Sequence, residues 1–462
     1  MSQVLFFIFI LGEVLVPPPD SFICPLQSDT TNELELVIFP PGDAQFPLSY
    51  KIDWGDGETL DWTEPIRQPI NISRFHRYRS IGTFTIRVMA RDAQGNRSSW
   101  SKPCSVEVKP SLIKWFFPTL EAIVAAPALD QHGNIYIGDE GGTFYSLSPQ
   151  GNLRFSFTTK GPIYAGATID RGFVYLPSLD SHLYCLDTLG KLHWSVHLGD
   201  ELWSPVAVSP DGKIYLGTDS GKLIALNQKG KILFTRQLGD EIASAPTIAF
   251  GLIYLSADSL YCFTPKGIKR WAFGTPEGSY FFPAPVLDEK GNIYVGNSDG
   301  YLYCIGPNGR LRWRAPSPDE DEIRTEVVFA SDGALLFGTD GYYLCVKPSL
   351  GTVQTLYETN DIICATPAVS KNGTIYSLSD DGIFYAFTST GRLLFTQEIA
   401  SENKEIYYTS SPAIAADGTV YVGSWDGGIY AFYGDAPPLE TIWPQFRQNA
   451  QHTGRIVLKG KR

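Results

Sequence analysis

Nearly the same phrase recurs along this chain. GNIYVGNSDGYLYCIGPNGRLRW at residues 291–313 is preceded by GNIYIGDEGGTFYSLSPQGNLRF at 133–155 and GKIYLGTDSGKLIALNQKGKILF at 212–234, and echoed by GTVYVGSWDGGIYAF at 418–432. Aligned on the Ile-Tyr or Val-Tyr pair, equivalent strands begin at Ile135, Val174, Ile214, Ile253, Ile293, Leu335, Ile375 and Val420, about every 40 residues. A period of that length, filled by three or four short strands, defines a β-propeller and excludes a helical solenoid. Eight such units imply eight blades.

Each unit reads as a strand, an Asp-Gly, Asn-Gly or Lys-Gly turn, a second strand of the IYLGT type, another turn, a third strand, and a last strand after Gly. The glycines supply the positive φ that tight hairpin turns need. Many acidic residues are therefore turn chemistry, and their spacing fits no complete calcium loop. Eight innermost strands crowded round one axis demand small side chains, and Ala125, Ala165, Ser204, Ser244, Thr325, Ala365 and Ser410 meet that demand. On the last strand an aromatic recurs at Phe155, Trp194, Phe234, Trp271, Trp313 and Phe395, suited to wedge between neighbouring blades, with Thr355 breaking the rule. The eighth unit lacks such a strand after GGIYAF. A spare one, SLIKW at 111–115, stands ahead of the first unit and carries Trp115. The expectation is that residues 111–117 complete the eighth blade and close the ring, leaving no exposed strand edge.

The net charge of −12 would repel a phosphate backbone, and the one local basic cluster is the tail at 456–462, so nucleic acid is not an expected partner. Residues 4–11 form an apolar run long enough for a signal-peptide core and too short to span a bilayer. Residues 1–16 are read as a signal peptide on that ground, although no basic residue precedes the run and Glu13 follows it closely. The expected location is extracytoplasmic, that is periplasmic, cell-surface or secreted, with no transmembrane segment beyond this leader.

Residues 17–109 have another grammar: alternating strands and turns that read as an Ig-like sandwich. Asp53, Trp54, Gly55, Asp56 and Gly57, followed by His76, Tyr78, Gly82, Phe84, Asp92 and Gly95, resemble the PKD domain. That resemblance implies a spacer or a module that binds protein or carbohydrate, with Trp-Gly-Asp-Gly as a structural turn and not a catalytic dyad. Residues 111–455 resemble PQQ-like (quinoprotein-type) propeller repeats, and WPQFRQNAQHTG at 443–454 is similar to a segment that often accompanies them. The resemblance implies either a quinone-dependent dehydrogenase or a non-catalytic scaffold. It extends to the propeller scaffold of the outer-membrane barrel assembly machine, which binds protein loops. The whole is expected to be all-β: a PKD-type sandwich followed by an eight-bladed propeller.

Cys185, Cys262, Cys304 and Cys345 share one repeat position where other units carry Ala or Ser, so they are small core residues, as is Cys364. Cys24 and Cys104 flank the first and last strands of the sandwich. A bridge between them would close a loop of about 80 residues and add roughly 4 kcal/mol, two free thiols being the alternative. The histidines form no zinc spacing, and there is no haem motif, nucleophile elbow or phosphate loop. Dehydrogenases of this repeat family carry long insertions and an adjacent cysteine pair that this chain lacks. No catalytic residue, cofactor site or metal site is therefore assigned.

A binding role is the better expectation, for a protein or carbohydrate partner, with a structural or adhesive component as the alternative. Just ahead of the small inner residues lie Val124, Tyr164, Trp203, Ala243, Phe282, Arg324, Cys364 and Thr409, one per unit. Opening onto one mouth of the ring, Tyr164, Trp203, Phe282 and Arg324 would form an aromatic and cationic rim; otherwise they plug the channel. Glu326, where other units carry small residues, is expected to pair with Arg324.

Overall fold

The computed structural model describes residues 21–23, 27–29, 34–40, 46–109 and 111–456, apart from 240, 243, 276–277, 319, 402–409 and 442. The N-terminal apolar run, Cys24, the rim positions Ala243 and Thr409, and the tail beyond Ile456 lie outside the described residues. Within them every regular element is a strand, and no helix is long and apolar enough to cross a membrane. The chain divides into two units, residues 1–112 and 113–462.

In the first unit a three-stranded sheet and a five-stranded sheet share one core, built from Leu34, Leu36 and Ile38 on one side and Tyr50, Ile52, Ile86, Val88 and Val106 on the other. The alternation of buried and exposed residues along Leu34–Phe39 is what one buried sheet face requires. The Trp-Gly-Asp-Gly stretch is a turn closed by its own carboxylates. Asp53 Oδ1 accepts from the Gly55 amide at 3.0 Å, and Asp56 Oδ1 accepts from the Glu58 amide at 3.0 Å. Asp56 also holds His76 Nε2 at 2.7 Å, while the His76 ring stacks on Trp54 and the Tyr78 hydroxyl donates to the Trp54 carbonyl. Every one of these groups is committed to the turn. Cys104 is disulfide-bonded; Cys24, its expected partner, lies outside the described residues.

The second unit consists of eight four-stranded antiparallel sheets. Seven are built from consecutive strands. The eighth takes Ala413–Ile414, Val420–Ser424 and Gly428–Phe432 from the C-terminal end of the unit and Ile113–Pro118 from its beginning, with Trp115 opposite Ala431 and Phe116 opposite Tyr430. One hydrogen bond recurs between sheets. The amide just ahead of a first strand donates to the carbonyl that ends the second strand of the preceding sheet: Ile163 to Asp139, Ile242 to Thr218, Ile323 to Asn297, Ile363 to Thr339. The same bond, Ile123 to Ser424 at 2.9 Å, joins the last sheet to the first. Ser410 Oγ adds a bond to the Ala125 carbonyl at 2.9 Å. The succession of sheets is thus a closed ring.

Between sheets, Trp115, Phe155, Trp194, Phe234 and Trp271 each face a small residue within their own sheet and a glycine turn of the next. Trp194, Trp271 and Trp313 lie opposite Cys185, Cys262 and Cys304, which are buried free thiols. Trp115 donates Nε1–H to the Pro149 carbonyl of the next sheet at 2.9 Å and covers Gly151, where φ is +82° and a Cβ would lie 2.7 Å from the indole. Only glycine fits there, for both its conformation and its size.

Candidate functional site

The ring's innermost strands pose a problem of backbone chemistry. Each is the edge of its sheet, and its axis-facing amides have no fifth strand to pair with. The segment after the last repeat supplies the acceptors. Carbonyls of Trp443, Pro444, Ala450, Gln451, Thr453 and Gly454 accept from Phe329, Val369, Leu129, Ile169, Val208 and Ile248 respectively, and Gln445 Oε1 accepts from Ile414. Seven of the eight first strands are engaged by one stretch of chain. This is the WPQFRQNAQHTG motif, and it seals one end of the axis.

At the centre of the seal Arg447 is fully buried. Its guanidinium donates to the Pro246 carbonyl at 2.6 Å and lies 3.7 Å from Glu326 Oε1, while its backbone amide and Trp443 Nε1 both donate to Glu326 Oε2. Glu326 therefore pairs with Arg447 and not, as expected, with Arg324. It lies two residues nearer the first strand than Arg324, against the sealing segment, where only another buried charge can compensate it. Burial pushes the Glu326 carboxyl up against the pull of Arg447. His452, also buried, makes its Nδ1 bond to the Ala167 carbonyl at 3.1 Å, and burial together with Arg447 pushes it down to about 3.

The other end of the axis is a cup of about 240 Å3. Tyr164, Trp203, Phe282 and Arg324 all line it, so the structure brings the four rim residues into one cavity. They belong to four different blades, each four residues ahead of its first strand. Below them the wall is Ala165, Gly166, Ser244, Ala245 and Ala284, and the floor is Phe446 of the sealing segment with Glu326. Because the first strands run from this mouth to the sealed end, the channel is a blind one. Cys364, expected in the core, lines the cup and is partly exposed.

The cup has two differently furnished walls. On one, the Tyr164 and Trp203 rings stack at 5.2 Å and 4°. Burial, with the charge of Glu140 behind it, raises the Tyr164 pKa. Glu241 stands in the same lining, its carboxyl pushed up by burial and by Asp219. On the other wall, Arg324 lies 4.9 Å over the Phe282 ring and is gripped by Glu322 at 2.6 Å and Asp340 at 2.8 Å. Burial outweighs Arg324 at Asp340 and pushes that carboxyl up to about 6. Sequence reasoning missed Glu241, which stands two residues ahead of rim position Ala243, as Glu201 and Glu322 stand ahead of Trp203 and Arg324. It also missed the sealing role of residues 443–456. A signal existed for the latter: a buried-type charge at a small-residue position needs a partner, and Arg447 stands in the one aromatic-rich stretch that has no strand pattern.

Eight radially arranged four-stranded sheets around a plugged axis place the second unit among β-propeller folds. Residues 180–348 match the family model described as outer membrane protein assembly factor BamB, of the PQQ-repeat type. No curated protein matches the chain. Among solved structures, BamB from Moraxella catarrhalis is similar at 15% identity and a TM-score of 0.56, covering 69% of this chain and 97% of that one. The computationally designed Ika8 protein is similar at 16% identity and 0.58, covering 68% and 97%, and Sqt1 of Saccharomyces cerevisiae at 12% and 0.59, covering 69% and 98%. At these identities the likeness carries the fold alone.

Proposed function

We propose that this chain is a non-catalytic, extracytoplasmic scaffold in which an eight-bladed PQQ-like propeller, preceded by a PKD-like module, docks a protein partner at the open mouth of its ring. One observation carries the reading: four large side chains, contributed by four separate sheets, converge on the rim of a blind cup whose far end the chain itself has sealed. A rim of aromatic residues and Arg around a desolvated centre is the composition of an interface hot spot. A partner entering the mouth meets a preformed surface and orders little on binding. The family match over residues 180–348, to a factor named for assembly of outer membrane proteins, supports both the protein partner and the location. The compact repeats, without long insertions, favour a scaffold over an oxidoreductase.

The test is site-specific photocrosslinking in the full chain, with a benzophenone amino acid at Phe282 or, as a control, at Leu233, an exposed outer-strand residue. A discrete protein adduct from position 282 and none from 233 is expected. Equal labelling from both, or adducts from 233 alone, would move the interface to the outer edge of the ring and end this reading.

A further inference from the structure

In every sheet the first strand runs from the mouth toward the sealed end. Because the sheets are antiparallel, the turn from third strand to fourth lies at the sealed end again, away from the axis. Counting sheets in chain order, that turn and the fourth strand occupy residues 228–238, 265–274 and 306–316 in the third, fourth and fifth. Together they carry nine Lys and Arg and no Asp or Glu. The same stretch of the sixth sheet, 348–358, carries Glu358 and no cation, and that of the seventh, 389–398, carries Arg392 with Glu398. In a chain of net charge −12, cations are therefore gathered in one sector of one face.

Lys229, Lys231, Lys266 and Arg310 stand in the turns. Lys269, Arg270 and Arg312 occupy the first two positions of the fourth strands Lys269–Phe273 and Leu311–Pro316. All seven are exposed, and none forms an ion pair among the described residues. The turns from first strand to second, at the same end of these sheets, add Lys213 and Lys290 against Asp211, Asp288 and Glu289. Of these carboxylates, Asp211 is held by Lys213 at 2.6 Å, and Asp288 accepts from the Lys290 and Asn292 amides of its own turn. The three basic turns adjoin: Arg236 Nε donates to the Gly267 carbonyl at 2.8 Å, and Trp271 Nε1 to the Pro307 carbonyl at 3.2 Å. Equivalent by the repeat, they stand at one level along the axis and make a flat array. Among the cations, Ile232, Leu233, Ile268 and Leu311 are 43–61% exposed, as is Phe250 in the first turn of the fourth sheet.

We propose that this sector of the sealed face rests on an anionic phospholipid surface, with the mouth turned away from it. Cations interspersed with exposed apolar side chains are the composition of a membrane-surface contact: the charges meet lipid phosphates while the apolar groups reach the acyl boundary. A flat array of turns presents all three sheets to a bilayer at once. A nucleic acid would meet the cations and leave the aliphatic side chains unused. Carboxylates elsewhere on the ring oppose the contact weakly, since exposed charges are screened beyond about 10 Å at 0.1 M salt.

The experiment floats the full chain with vesicles of phosphatidylcholine alone and of phosphatidylcholine mixed with phosphatidylglycerol, at low and at high salt. Binding to the mixed vesicles only, weakened by salt, is expected. Replacing Lys229→Gln, Lys266→Gln and Arg310→Gln together, one exposed turn residue per sheet, should weaken that binding about a hundredfold, at about fivefold per cation. The same change in net charge made with Lys102→Gln, Lys160→Gln and Arg392→Gln, exposed residues outside the sector, should leave it unaltered. Equal binding to both kinds of vesicle, no binding to the mixed vesicles, or equal weakening by the two triple variants would each overturn the proposal. So would polyglutamate or a DNA duplex that binds as tightly as the mixed vesicles and is lost in the turn variant, an outcome that gives the sector to another polyanion.

Discussion

The two ends of the ring's axis are made from the same eight strands and have opposite characters. At the sealed end Glu326, Arg447, Trp443 and His452 are buried and joined to one another or to carbonyls of the first strands. At the mouth Tyr164, Trp203, Phe282 and Arg324 are partly exposed, and Glu241 stands open. Groups buried and bonded to one another are building material, since a further partner would have to break bonds already made. Side chains that reach the open mouth are accessible to a partner without unfolding the ring. The difference locates function at the mouth and stability at the seal.

The sharpest way to break that contrast is Arg447→Met. It leaves Glu326 buried without its counter-charge and should cost about 3–5 kcal/mol of stability, read from the urea unfolding transition of the full chain. Adding Glu326→Gln should recover part of the loss. A neutral effect of Arg447→Met would mean that the seal is not a structural element.

Two buried groups, His452 at the seal and Asp340 beside the mouth, should answer acid in opposite directions. His452 is held neutral by burial, at about 3 against an ordinary 6.5, so the unfolded chain takes up the proton first. Stability it contributes is present above about pH 6.5 and is lost as pH falls, by about 3 kcal/mol at pH 4. Asp340, at about 6 against 3.8, has the reverse sign: the folded chain holds the proton more tightly, and stability is lost as pH rises from about 4 through 6, by about 2 kcal/mol. Unfolding measured from pH 4 to 7 should therefore show His452→Gln flattening the acid loss and Asp340→Asn flattening the opposing slope. Profiles unmoved by both would refute the burial assigned to these two groups.

The smallest expected effect on folding is at the mouth. Trp203→Leu gives up a stacked pair at a partly exposed site and should change stability by about 1 kcal/mol or less, while abolishing the crosslink from position 282. A large loss of stability would make Trp203 a core residue and move it to the other side of the comparison.

Much of this architecture is legible in the residues. The spacing of the Ile-Tyr pairs marks the second strand of each sheet, because strand pairing imposes a repeat on hydrophobicity and turns alike. The last repeat lacks an outer strand, and Ile113–Pro118 supplies it in the structure. The four rim residues stand out as the large members of the column just ahead of the small inner side chains. Glu241 does not, because nothing in a loop's sequence says which way it faces. The pairing of Glu326 is opaque for a related reason. Arg324 is two residues away and Arg447 is 121, and proximity along the chain misleads where a non-repeating segment from the far end of the sequence brings a buried guanidinium to the axis.

Sequence alone determined the all-β character, the eightfold period, the small inner column and the aromatic wedges, since these follow from local hydrogen bonding and side-chain volume repeated along the chain. Tertiary structure alone decided which end of the axis is closed, which carboxylate meets which arginine, and that the rim encloses a blind cup. Those depend on where a non-repeating segment comes to lie across edge amides hundreds of residues distant, and orphaned backbone donors, which every sheet has in the same number, do not specify in advance which acceptor will reach them.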